Sequence, residues 1–67
     1  MPKRWSSKEV ERNLRRHGFS LVSQKGSHMK YVANGRVVIV PAGRDPLPQG
    51  TFASILRQSG LDISQFD

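Results

Sequence analysis

Polar and apolar positions follow a helical period in the first part of the chain. Val10 and Leu14 are four residues apart, and lysine and arginine fill many of the positions around them. Ser6 followed by Glu9 is the pattern of a capping box, which marks the start of a helix. Gly18 is suited to the left-handed conformation that ends many helices. These signals predict a helix between Ser6 and Gly18.

A two-residue period replaces the helical one after this helix. In the first such segment, Phe19 and Leu21 are predicted to face the core. Asn34-Gly35 is a strong signal for a two-residue hairpin turn, and Pro41 ends the last segment. The pattern predicts three antiparallel strands, at about residues 19–24, 28–33 and 36–40.

A second helix is predicted after a connection rich in proline and glycine. Phe52, Ile55 and Leu56 have helical spacing. Thr51 or the residues just before it can start the helix, and Gly60 can end it. The order α-β-β-β-α predicts a small α+β domain, with a three-stranded antiparallel sheet and both helices on one face. The opposite face is then open to solvent or a ligand.

The chain is expected to form a single domain over residues 1–67, because so short a chain supports only one hydrophobic core. We expect the core to span about residues 5–61, with residues 62–67 as a tail or a short extra turn. No apolar run approaches the length of a membrane span. The protein is therefore expected to be soluble and cytoplasmic, without membrane contact.

The positive charge of the chain is unevenly distributed. The net charge is +6, to which residues 1–36 contribute +7 and residues 37–67 contribute −1. Such a balance is typical of proteins that neutralise phosphates, although a solvated basic surface without a ligand has the same composition. There is no cysteine, which excludes disulfides and thiolate metal sites. The five carboxylates are scattered and match no metal-binding motif.

His28 has the surroundings that best fit a chemical role. Strand alternation puts it on the same side as Lys30, and a side that carries a lysine must be the wet one. Histidine gives and takes protons near neutral pH, and Lys25 and Lys30 can hold a phosphate against it. This combination fits a general acid or base aimed at a phosphodiester. The alternative is an ordinary surface or hydrogen-bonding histidine.

Two other side chains are weaker candidates. His17 falls at the end of the predicted first helix, where a cation is favourable, which indicates a structural role. Ser27 has no base near it in sequence to activate it as a nucleophile, and turn serines usually bond the backbone. Because the sequence contains no metal-binding motif, cleavage by this chain would be metal-independent. That favours RNA as the substrate, because its 2′-hydroxyl supplies an internal nucleophile.

Five stretches of the sequence are W-S-S-K-E-V, H-G-F, Q-K-G-S-H-M-K-Y, V-I-V-P and P-Q-G-T-F-A-S-I-L-R-Q-S-G-L. Together, over roughly residues 5–61, they resemble the HicA-type mRNA interferase toxins of bacterial toxin–antitoxin pairs. The resemblance implies a fold like that of double-stranded-RNA-binding domains and translation-linked cleavage of mRNA. It also implies inhibition by a HicB-type antitoxin, and an essential histidine in G-S-H, which here is His28. No cofactor is expected.

The resemblance further implies roles for the neighbours of His28. Gly26 lets the turn approach RNA, Ser27 positions the backbone or a phosphate, and Lys25 and Lys30 contact phosphates.

In one place the chain departs from the family. Many relatives carry one or two histidines just after the proline that closes the third strand, where this chain has Pro41-Ala42-Gly43. His28 would then carry both proton transfers, or a water, a lysine or Tyr31 would share them, and the activity would be weak.

Three functions from different classes fit these residues. The first is an endoribonuclease toxin in which His28 is the single general acid and base and an acidic antitoxin covers the open face. The second is a non-catalytic RNA-binding module of the same fold, which recognises shape and phosphates. A protein-interaction domain with incidental charge is a third. The residues expected to bind RNA in the first two are Lys25, Gly26, Ser27, Lys30, Arg36, Arg12 and Arg16.

Overall fold

The computed structural model describes residues 3–67, which have the predicted order of elements. The elements are α1 (Ser7–Arg16), β1 (Ser20–Lys25), β2 (His28–Ala33), β3 (Arg36–Pro41), α2 (Gln49–Ser59) and a 3-10 turn (Ile63–Gln65). The predicted fold class, a small α+β domain with a three-stranded antiparallel sheet, is confirmed. Within residues 3–67, neither helix is long and apolar enough to cross a bilayer.

The start of α1 is fixed by the predicted capping box. The Ser6 hydroxyl accepts a hydrogen bond from the Glu9 amide (3.2 Å), and the Glu9 carboxylate accepts one from the Ser6 amide (2.9 Å). The bond from the Ser6 amide, and next the bond from Lys3, hold the pKa of Glu9 below its ordinary value. The helix ends with His17 as its C-cap, and Gly18 follows with a φ of +90°.

Two-residue turns set the antiparallel pairing of the sheet, whose strand order is β1-β2-β3. Gly26, at the first central position of the β1–β2 turn, has a φ of +60°, as a type II′ turn requires. In the β2–β3 turn, Asn34 and Gly35 have φ values of 49° and 77°, as the Asn-Gly signal predicts.

Both helices pack on the same face of the sheet, as the apolar pattern predicts. The side chains that β2 and β3 turn toward the helices are buried, and so are the apolar stripes of the helices. The core residues with no exposed surface are Val10 and Leu14 of α1, Tyr31 of β2, Val38 and Val40 of β3, and Ile55 of α2. Neither helix covers the opposite face of the sheet.

β1 is an edge strand that the helices leave largely uncovered. Phe19, just before it, is buried, but Leu21 is 39% exposed even though it pairs with Tyr31 on the helix side. The prediction that Leu21 faces the core is therefore right about its side of the sheet and wrong about its burial, because the helices cover β2 and β3 and leave β1 largely uncovered.

The residues after α2 return to the core. Phe66 is buried and meets the rings of Trp5 and Phe52 edge-on, at centroid distances of 5.6 and 5.5 Å. Trp5 and Phe52 lie nearly parallel, with their centroids 6.2 Å apart. The core therefore extends beyond residue 61.

Candidate nucleic-acid interface

We name the sheet surface that faces away from the helices the open face. His28 and Lys30 are exposed, whereas the alternating residues Met29 and Tyr31 are buried. Residues that pair directly across strands point to the same side of a sheet. By this pairing, the open face includes Ser23, Lys25, His28, Lys30, Val32, Val37, Ile39 and Pro41.

A β-bulge at Val22 places Lys25 on the open face. With regular alternation, Lys25 would share the helix side with Leu21, since the two are four positions apart. The pairing shifts between Leu21 and Ser23, which transfers the second half of β1 to the opposite side of the sheet. Lys25 therefore pairs with His28. Sequence reasoning missed this bulge, because nothing in the residue types around Val22 marks it.

His28 lies between two cations on the open face. Lys25 is its direct partner across the strands, and the Cβ atoms of such pairs are about 5 Å apart. Lys30 is two positions along the same strand, roughly 7 Å away. All three side chains are exposed, so a polynucleotide can reach the imidazole and both ammonium groups at once. The structure brings these three residues together, with Lys25 as the last residue of β1 and not in the turn where the sequence pattern put it.

The turn that precedes His28 is held by hydrogen bonds to its carbonyl groups, and its two residues are exposed to solvent. The Gln24 side-chain amide donates a hydrogen bond to the Gly26 carbonyl (3.0 Å), and the Ala42 amide donates one to the Ser27 carbonyl (2.6 Å). A Cβ at Gly26 would meet no atom within 4 Å, so glycine is favoured there by its positive φ and not by crowding. Gly26 and Ser27 are exposed next to His28, where a ligand can approach both.

Tyr31 lies on the other side of the sheet from His28. Its side chain has no exposed surface, and its hydroxyl donates to the Glu11 carboxylate (2.7 Å) and accepts from the Arg15 guanidinium (3.2 Å). Burial first, and then the hydrogen bond to Glu11, raises the pKa of Tyr31. Tyr31 is therefore out of reach of any ligand on the open face, and it cannot be the partner of His28 that the sequence offered beside water and lysine.

Arg12 and Arg16 lie on the outer surface of α1, on the helix side of the domain. Arg16 forms an ion pair with Asp67, and Arg12 donates a hydrogen bond to the Asp67 backbone carbonyl (2.5 Å). The structure does not bring these arginines together with His28, because the sheet lies between them. The α1 basic surface is lined by Lys8, Glu11, Arg12, Arg15 and Arg16.

Arg36 also lies away from His28. It pairs with Ala33 at the other end of β2, and this end is roughly 17 Å from His28. Its guanidinium Nη1 lies 3.5 Å from the Gln58 carbonyl oxygen, at the C-terminal end of α2. A cation is favourable there because the helix dipole is negative. Arg36 thus makes a structural contact on the helix side of the sheet.

From Ile39, which pairs with Lys30, the open face becomes apolar toward its end remote from His28. Val37 is 43% exposed and Ile39 is 39% exposed. Val32 pairs with Val37 and lies on the same surface. Sequence reasoning gave these side chains no role, because β3 carries four consecutive β-branched residues and alternation alone does not show which of them are covered. A surface that is cationic at one end and apolar at the other suits contact with a protein partner.

Three of the five carboxylates accept hydrogen bonds away from His28. Glu9 caps α1, Glu11 accepts from Tyr31, and Asp62 accepts from the Ser64 hydroxyl and amide. Those bonds from Ser64 hold the pKa of Asp62 below its ordinary value. Within residues 3–67, no three histidine, aspartate or glutamate side chains meet in a group that could hold a metal ion.

The sequence model of one protein family matches most of the chain. That family is described as HicA toxin of bacterial toxin-antitoxin, and the match covers residues 7–61. Comparison with curated proteins gives no match. The matched range runs from the start of α1 to just beyond α2 and therefore contains the whole open face.

Proposed function

This chain belongs to the HicA family of toxins from bacterial toxin–antitoxin systems, and from that premise we propose that it is an endoribonuclease that cleaves mRNA and so inhibits translation. Family membership implies an antitoxin partner and an RNA substrate. The observation that carries the proposal is the exposed position of His28 between Lys25 and Lys30. An mRNA substrate implies that the protein acts in the cytoplasm.

The proposed chemistry needs no metal ion, because the RNA supplies its own nucleophile. The His28 imidazole takes the proton of a ribose 2′-hydroxyl, and the 2′-oxygen attacks the adjacent phosphorus. The bond from phosphorus to the 5′-oxygen of the next nucleotide breaks, and that oxygen takes a proton as it leaves. The products are a 2′,3′-cyclic phosphate and a 5′-hydroxyl, so atoms and charge balance without a further reactant.

His28 carries both proton transfers in this proposal. The residues just after β3, where relatives carry further histidines, are Ala42 and Gly43 here, and Tyr31 is buried on the opposite side. Once the imidazole has taken the 2′ proton it is cationic, and it can return a proton to the leaving oxygen directly or through a water. We expect a slow enzyme, because one group must act in two positions.

The open face supplies the RNA contacts nearest to the reaction. Lys25 and Lys30 hold the phosphate against His28 and stabilise the negative charge that develops on it. Gly26 and Ser27 let the backbone of the turn come close to the strand. Arg12, Arg16 and Arg36, which sequence reasoning placed in the same binding set, lie on the helix side. They contribute general attraction and contact only RNA that extends around the domain.

We propose that the antitoxin is of the HicB type and inhibits by covering the open face. An acidic partner would meet Lys25 and Lys30, and its apolar side chains would meet Val37 and Ile39, which are exposed beside them. Charge complementarity would speed the encounter, and the apolar contact would slow dissociation. Such a partner would exclude RNA from His28 without changing the fold of the toxin.

A non-catalytic RNA-binding module of the same fold is the second candidate. It is favoured by the burial of Tyr31, which leaves His28 without a second titrating partner on the open face apart from the lysines. In that case His28, Lys25 and Lys30 would bind a phosphate without moving protons. Binding measurements alone do not separate the two functions, because both use the same cations.

The experiment that separates them is cleavage of a long mRNA in EDTA by wild-type protein, His28→Ala and His17→Ala. His17→Ala is the matched control, because it removes the other histidine, which caps α1 away from the open face. We expect cleavage by wild type and His17→Ala, and none by His28→Ala, which should still bind RNA in a salt-sensitive manner. Binding without cleavage by any of the three would establish the non-catalytic module instead.

A further inference from the structure

The backbone that carries His28 is held on both sides, by its pairing with Lys25 in β1 and by the end of β3. His28 is the first residue of β2 and pairs there with Pro41, the last residue of β3. Proline has no amide hydrogen, so Pro41 donates nothing to any neighbour. The next residue does: the Ala42 amide donates to the carbonyl of Ser27, the residue just before His28, at 2.6 Å. On its β3 side, the placement of His28 therefore depends on where residues 41–44 are held.

A single buried residue, Ser7, holds residues 41–44. Ser7, at the start of α1, is 1% exposed. Its hydroxyl donates to the Pro41 carbonyl (2.6 Å) and accepts from the Arg44 amide (2.9 Å), and its own amide donates to the Arg44 carbonyl (2.8 Å). These three bonds fix both ends of residues 41–44. We name them the Ser7 clamp.

The chain of contacts from the clamp to the candidate site is short and continuous. It runs from Ser7 to residues 41–44, from Ala42 to the Ser27 carbonyl, and from Ser27 by one peptide bond to His28. The imidazole is exposed, so packing does little to orient it. The backbone below the imidazole therefore sets where the ring stands relative to a bound phosphate.

We propose that Ser7 is a positioning residue for His28, whose backbone it holds against the end of β3 through residues 41–44. This inference rests on the proposed ribonuclease function. Ser7 never touches RNA, since it is buried on the helix side of the sheet. Without its hydroxyl, the Pro41 carbonyl and the Arg44 amide lose their partner, and the end of β3 frays away from Ser27.

The chain offers a matched control for this proposal. Ser59, near the end of α2, is 4% exposed, and its hydroxyl also donates to a carbonyl, that of Leu56 (3.1 Å), and accepts from an amide, that of Leu61 (3.1 Å). Ser7→Ala and Ser59→Ala thus remove the same kind of buried hydroxyl bridge. Only the first of these bridges is connected to His28.

The test is single-turnover cleavage of one RNA by wild type, Ser7→Ala and Ser59→Ala, below the melting transition of all three. We expect Ser7→Ala to lower the cleavage rate at saturation roughly tenfold to a hundredfold, the size of effect that small misplacements of catalytic groups produce. The RNA Kd should change less than twofold. Ser59→Ala should melt earlier than wild type but cleave at the wild-type rate. Equal rates for the two variants would overturn the proposal.

Amide hydrogen exchange gives a readout that does not depend on activity. In Ser7→Ala the Ala42 amide should exchange at least tenfold faster than in wild type, with the amides of the β1–β2 pairing unchanged. Unchanged exchange at Ala42 would overturn the clamp.

If wild type does not cleave RNA, the proposed function fails, while this exchange measurement still decides whether the clamp exists. If Ser7→Ala does not fold, Ser7→Cys replaces it, because a thiol fills the site but donates weakly. Its cleavage rate should then lie below that of wild type, and a wild-type rate would overturn the proposal.

Discussion

Replacing Lys25 and Lys30 with glutamine tests whether RNA is bound on the open face. Both side chains flank His28 there, and both are exposed. The measurement uses a His28→Ala background, so that the RNA stays intact while binding is followed. The matched control is Arg12→Gln with Arg16→Gln, which changes the net charge of +6 by the same two units on the helix side.

The size of the effect follows from counterion release. Each phosphate contact on single-stranded RNA contributes about 0.7 to the slope of log affinity against log salt concentration, so loss of two contacts lowers the slope by about 1.4. Between about 50 and 200 mM salt, wild-type affinity should therefore fall about sevenfold more than that of the Lys25 and Lys30 variant. The arginine control should change the slope by less than half as much, because Asp67 already neutralises part of that surface.

The assay is fluorescence anisotropy of a labelled single-stranded RNA over a salt series for the three proteins. A slope change that is the same for both double variants would refute the placement of RNA on the open face. It would mean that affinity follows net charge and not the arrangement around His28. A larger change for the arginine variant would move the binding surface to α1.

Two further predictions concern stability. Tyr31→Phe should lower the free energy of unfolding at pH 7 by about 1 kcal/mol, because a buried hydroxyl bonded to Glu11 is lost. Folding raises the pKa of Tyr31 above its unfolded value of about 10. The stability that the Tyr31 hydroxyl provides is therefore fully present below about pH 10 and is lost as the pH rises through the pKa of the folded protein. Only wild type should show this loss, because Tyr31→Phe has no hydroxyl to ionise. Gly26→Ala should cost about 1–2 kcal/mol, because its φ of +60° strains any residue with a Cβ, and Gly26→Asn should cost less.

Thermal melts at neutral and alkaline pH check the first of these, and a wild-type melting temperature that falls with pH in parallel with that of Tyr31→Phe would contradict it. Urea unfolding checks the second. If Gly26→Ala were as stable as wild type, the turn before His28 would not need its left-handed residue.

Sequence reasoning succeeded where a local signal carries the information. The capping box of Ser6 and Glu9, the Asn34-Gly35 turn and the end of α2 at Gly60 each depend on a few adjacent residues, and each is present. Alternation along β2 also placed His28 and Lys30 on the exposed side, because a strand with one covered face has only two ways to point its side chains.

It failed where the deciding contact comes from a distant part of the chain. The bulge at Val22 depends on how β1 pairs with β2, and the bonds from Ser7 reach residues more than thirty positions away. Arg36 was grouped with the RNA-binding cations by charge alone, but its strand position turns it toward the end of α2. Charge is visible in a sequence, whereas the side of the sheet on which a charge lies depends on register.

Cleavage that uses the 2′-hydroxyl of RNA and the imidazole of His28 is tested most directly by removing that hydroxyl. After a cut site has been mapped with wild-type protein in EDTA, three short RNAs spanning it are compared. One is unmodified, one has a 2′-deoxy nucleotide on the 5′ side of the cut, and one has it a position further on. We predict that the second RNA is not cut, that the first and third are cut equally, and that His28→Ala cuts none. Equal cutting of all three RNAs would contradict the 2′-hydroxyl as the nucleophile, and cutting by His28→Ala at the wild-type rate would contradict the role assigned to His28.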